Sequence, residues 1–221
     1  MKKLLGSVLI SSIAIMGADA HEVWLDLDDK KAEAKLYFGH FAGNQTESGK
    51  KFERIKEGVT YPKGLVKGVK RNDDNITYTL NKKSDIVAIR ESKPREARNS
   101  KAIVKRISYS KAGRSQTEAI TAFDIVPVKA NSNTFKVVYN KKIVKKSKIV
   151  VISPSEWTKS FMSNDKGEFT IQTPWIGTYL IKASFEDNTK GEVNKEAYDK
   201  TVHSLTYTIK QTEGLPWNPS K

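Results

Sequence analysis

Apolar residues in this chain recur at every second position and almost nowhere at every third or fourth. That period belongs to strands with one buried face, and it leaves little room for helix. In "HEVWLDL", Val23, Leu25 and Leu27 share a face; in "AKLYFGH", Ala34, Leu36 and Phe38 do. "NITYTL" groups Ile76, Tyr78 and Leu80 after the turn "RNDDN". "SDIVAIRE", "AIVKRISYS", "TEAITAFDIVPV", "TFKVVYN", "SKIVVISP", "GEFTIQT", "GTYLIKASF" and "VHSLTYTIK" continue the series, separated by turns such as "NSN" and "SNDKG". Only "PSEWTKSF" (154–161) and "NKEAYDK" (194–200) invite a helical turn or bridge. The pattern predicts an all-β protein of two tandem antiparallel β-sandwiches, immunoglobulin-like or transthyretin-like. The expected organisation is a leader at 1–20, an N-terminal β domain at 21–123, a second sandwich at 124–212 and a tail at 213–221.

The leader expectation rests on Lys2 and Lys3, an apolar run from Leu4 to Met16, and the small-x-small triplet Ala18-Asp19-Ala20. This is the layout of an export signal cut after Ala20, and the run is short for a membrane span. The chain has no cysteine, which fits a bacterial periplasm and excludes thiolate metal sites. Any metal chemistry must therefore use nitrogen and oxygen. The net charge of +14 invites a nucleic-acid reading. However, the lysines of "KKIVKKSK", "NKKSD" and "KAIVKR" lie scattered in strands and turns without interleaved aromatics. They read as solvated faces and guarded strand edges, with an anionic membrane surface as the next partner class and nucleic acid excluded.

There are three histidines, His21, His40 and His203, each in phase with the apolar face of its strand. Singly, each reads as a core residue; together they suggest a shared metal site. Cleavage after Ala20 would give His21 a free amine beside its imidazole, a chelating pair on one residue. Amine and imidazole nitrogens suit nickel, cobalt and copper, with zinc also compatible. The amine has a reference pKa near 8, so a metal displaces its proton at modest cost. Glu22 and Asp26 are candidate partners for the imidazole N–H groups, and Trp24 and Trp175 candidate walls. There is no G-x-S-x-G elbow, no cysteine nucleophile and no H-E-x-x-H motif, so a non-enzymatic role is expected.

The opening "AHEVWL" resembles the mature start, "AHEFWL" or close to it, of a bacterial family of exported proteins associated with nickel and cobalt uptake. "ISYSKAG" (107–113) and "FDIVPV" (123–128) extend the likeness. "FKVVYNKKIVKKSKIVVIS" followed by Asp165, Gly167, Phe169 and the run Trp175 to Leu180 is similar to a transthyretin-like, carboxypeptidase-regulatory-like sandwich. The chain departs from the pattern at "NKKIV" (140–144) and at "TPWIG", which concerns turn geometry. The resemblance implies a periplasmic metal-handling protein beside an uptake transporter, with His21, His40 and His203 carried over as ligands. A periplasmic copper carrier, a copper monooxygenase built on an N-terminal histidine and a metal-free interaction module are the competing readings.

Overall fold

The computed structural model describes residues 21–28 and 30–214, so the expected leader and most of the expected tail lie outside it. The chain is almost entirely β, as its alternation predicts. An N-terminal sheet holds β1 (Glu22–Leu27), β2 (Glu33–His40), β3 (Gln45–Thr46), β5 (Val66–Arg71) and β6 (Ile76–Leu80), in the order β1-β2-β6-β5 with β3 on β2. The short helix α1 (Gly49–Glu53) follows β3 and buries Phe52. A central sheet takes β4 (Val59–Tyr61), β7 (Ile86–Glu91), β8 (Arg95–Glu96) and β9 (Ile103–Ala112) from the first half of the chain. From the second half it takes β13 (Lys148–Ile152), β14 (Thr158–Met162), β16 (Gly177–Asp187) and β19 (Lys200–Gln211). A C-terminal sheet holds β10 (Phe123–Pro127), β11 (Thr134–Tyr139), β12 (Lys142–Ile143) and β15 (Glu168–Thr170). β17 (Gly191–Val193) and β18 (Glu196–Tyr198) make a separate hairpin.

The central sheet runs straight through the boundary expected near residue 123, because β9 pairs in parallel with β19. Its two faces carry different cores. Ile86, Ala88 and Ala112 point one way and join Leu25, Leu36, Ile76, Tyr78 and Leu80 of the N-terminal sheet. Val87, Tyr109, Ile181, Leu205 and Tyr207 point the other way and join Phe123, Ile125, Phe135 and Val137 of the C-terminal sheet. The result is three stacked layers sharing one sheet. Where both faces of this sheet are covered, as in the C-terminal half of β9, even Lys111 and Ser110 are wholly buried. Lys111 is stabilised there by Asp124, 2.6 Å away on the facing sheet, as a buried charge must be.

β1 is an edge strand, and its outward carbonyls would be costly to leave unpaired. The central sheet supplies donors. Ser110 and Thr206 hydroxyls donate to the Val23 carbonyl at 2.8 and 2.6 Å, and Thr208 donates to that of Leu25. This clasp fixes the strand that follows directly on His21. The two segments expected to turn helical do not. Trp157 leads instead into β14, and Asn194 and Lys195, with φ of 51° and 66°, form the tight turn of the β17–β18 hairpin.

Candidate functional site

β1 and β2 run antiparallel with Glu22 opposite Gly39 and Val23 opposite Phe38. One further step of that register sets His21 across from His40. Their ring centroids lie 4.3 Å apart, tilted by 44°, and the His21 ring also stacks on Phe38 at 4.9 Å. The alternation of "HEVWL" and "LYFGH" thus brings two of the three histidines to one end of the N-terminal sheet. Gly39 makes the place work: its φ is 154°, and a Cβ there would run into the Gln45 carbonyl oxygen on β3. Only glycine lets β3 close over the end of β2.

The hairpin to β3 delivers a third group, Glu47. Its backbone N–H donates to the Phe38 carbonyl at 2.8 Å, and its carboxylate lies 2.7 Å from His21 Nε2. Lys51, one helical turn on, pairs with the same carboxylate at 2.9 Å. The hydrogen bond from Lys51, and then that from His21, hold the Glu47 carboxyl below its ordinary pKa. Glu47 is therefore ionised at neutral pH and can only accept, so His21 Nε2 carries the proton. A neutral His21 ring then has its lone pair on Nδ1, the nitrogen nearer its own backbone amine. Arg54 lies over the Phe38 ring at 4.8 Å and adds positive charge beside the pair. The His21 side chain is 34% exposed and that of Glu47 19%, so solutes reach both.

His203 is placed elsewhere. It stands in phase with Leu205 and Tyr207 and so faces the C-terminal sheet, across the central sheet from His21 and His40. It is 3% exposed, surrounded by Tyr109, Phe123, Tyr139 and Phe185. Its Nδ1 is 2.9 Å from the Tyr109 hydroxyl, and its Nε2 has no hydrogen-bond partner. Burial pushes its imidazole from 6.5 down to about 4, with Asp187 and Glu91 pulling the other way. The phase of each histidine follows the sequence, but strand phase cannot say which of two cores a face meets.

The residues expected around the imidazoles also go elsewhere. Glu22 is buried against Lys182 at 2.5 Å and accepts from the Phe41 N–H. Trp24 packs with Tyr37, Phe41, Ile152 and Leu180. Asp26 lies near Tyr37 and Lys210, and Trp175 stands beside Trp157, 6.3 Å away. The carboxylate that does meet His21, Glu47, lies outside any alternating run. Its one signal in the sequence is the Glu47–Lys51 spacing at the start of a helix.

Among the described residues, no three His, Asp or Glu side chains form a group able to hold a metal by themselves. The His21 and His40 rings are the nitrogen donors brought together here, with the Glu47 carboxylate on His21 Nε2, and a terminal amine on His21 would add a third nitrogen. Comparison with known families, curated proteins and solved structures gave no match.

Proposed function

We propose that this chain is an exported, non-catalytic metal-binding protein that captures or hands on a divalent transition metal, nickel or cobalt foremost, beside an uptake system. The observation that carries the reading is the His21–His40 pair, with ring centroids 4.3 Å apart and with Glu47 on His21 Nε2. Metal-bound imidazoles characteristically donate their second N–H to a carboxylate, which fixes the tautomer and raises ligand basicity. Glu47 does this for His21 and leaves Nδ1 to bind. A chain beginning at His21 would add its amine to Nδ1, closing a chelate on a single residue, with His40 as the neighbouring ligand. Two imidazoles and an amine are borderline donors; they favour nickel and cobalt over magnesium or calcium, and copper most on intrinsic affinity. His203, walled into an aromatic core on the other side of the central sheet, takes no part in this reading.

Isothermal titration of the chain beginning at His21 with Ni(II), Co(II), Cu(II) and Zn(II) tests it. One tight equivalent is expected, abolished in His21→Ala and weakened in His40→Ala. Glu47→Gln is expected to weaken it about 10- to 100-fold, and His203→Phe to leave it unchanged. Binding that survives His21→Ala, or that depends on His203 rather than His40, would overturn the assignment.

A further inference from the structure

A dense run of positive charge lies away from the histidines. β11 turns into β12 through Asn140 and Lys141, whose φ values of 48° and 64° make a tight hairpin. Along this arm Lys141, Lys142, Lys145 and Lys146 are all exposed. Ile143 sits among them, itself 43% exposed. β12 is the outer strand of its sheet. Nearby Lys136 is opposed by Glu168 at 3.7 Å, but among the described residues no ion pair engages the four lysines of the arm.

One inward or edge lysine is enough to discourage strand-to-strand aggregation. Four within six residues repel one another, and that repulsion is relieved only where anions gather. The lysines are spaced along an outer strand and the segment that follows it, so they suit an extended anionic surface better than a single small anion. The exposed Ile143 between them supplies an apolar contact of the kind used at the headgroup boundary.

We propose that the β11–β12 arm docks the protein on an anionic phospholipid surface, with Lys141, Lys142, Lys145 and Lys146 over the headgroups and Ile143 pressed between them. The C-terminal sheet carrying this arm and the N-terminal sheet carrying His21 and His40 lie on opposite sides of the central sheet. Docking through the arm therefore leaves the histidine pair facing away from the membrane. The inference is independent of metal binding.

The test is co-sedimentation of the protein with phosphatidylcholine vesicles, with and without phosphatidylglycerol. Two variants of equal net charge are compared: Lys→Gln at 141, 142, 145 and 146, and Lys→Gln at the exposed positions 56, 67, 93 and 101. Each lysine near such a surface contributes roughly fivefold in affinity, so the arm variant, which removes four, should lose on the order of several hundred-fold. The control should stay within a few-fold of the parent. Absence of binding to phosphatidylglycerol vesicles would overturn the proposal, and so would equal losses in both variants, which would assign the binding to bulk charge. Binding to soluble heparin without binding to vesicles would replace the membrane by a polyanion.

Discussion

His203 should make the protein acid-labile in a window of its own. Its imidazole is buried at 3% exposure among four aromatic rings, and that desolvation lowers its pKa from 6.5 to about 4. Asp187 and Glu91 favour the charged ring and Lys105 opposes it, but burial prevails. The unfolded chain binds the proton near 6.5 while the folded chain refuses it until about 4. Stability from this group is therefore complete above 6.5 and is lost as pH falls through the interval between the two values. At 1.36 kcal/mol per unit, the whole interval is worth about 3 kcal/mol, and about 2 kcal/mol is gone by pH 5. The carboxylates with lowered pKa, Asp28, Asp187 and Glu47, act below their ordinary values of 3.8 for the aspartates and 4.5 for the glutamate, so they contribute little in the upper part of this window.

Urea denaturation of the parent and of His203→Phe at pH 7, 6 and 5 separates the effect. Phenylalanine fills the same aromatic site and cannot titrate. It leaves the Tyr109 hydroxyl without its partner, which shifts both ends of the curve by about 1–3 kcal/mol and does not alter the slope. The parent should lose about 2 kcal/mol more than the variant between pH 6.5 and pH 5. Parallel stability curves would refute the claim that His203 is held neutral by burial.

Two further substitutions probe the layers that position the candidate site. Gly39→Ala should destabilise the protein by about 2 kcal/mol or more, since the left-handed φ and the Gln45 carbonyl both oppose a Cβ; thermal denaturation measures it, and loss of the His40-dependent part of metal binding should accompany it. Lys111→Met should cost about 3–5 kcal/mol by stranding Asp124, whereas Lys111→Met with Asp124→Leu should recover most of the loss; equal instability of the single and double variants in urea would show that the pair is not what the site depends on.

The strands were legible because their side chains alternate. "HEVWLDL" and "AKLYFGH" became β1 and β2, and the same alternation put His21 and His40 on matching faces. The shared central sheet was not legible. β9 reads as a one-sided strand because it carries Ser108, Ser110 and Lys111, yet both faces of its C-terminal half are covered. Lys111 hides this, since its partner Asp124 is 13 residues on and on another sheet. Burial of a lysine through a distant carboxylate leaves no periodic trace. His203 looked equivalent to the other two histidines for a related reason. Period 2 assigns a side chain to a face, and only the parallel pairing of β9 with β19 decides which core that face meets. Glu47 was missed because it sits in the turn between β3 and α1, where neither period applies.

The proposed chelate joins the His21 amine to its own Nδ1, and adding a single residue tests it directly. Titration of Ni(II) and Cu(II) into the chain beginning at His21, and into the same chain with one glycine placed before His21, leaves every side chain intact and removes only the free amine from His21. One tight equivalent is expected for the first and affinity weaker by about 100-fold, some 2.8 kcal/mol, for the second. Equal affinity in the two chains would contradict it.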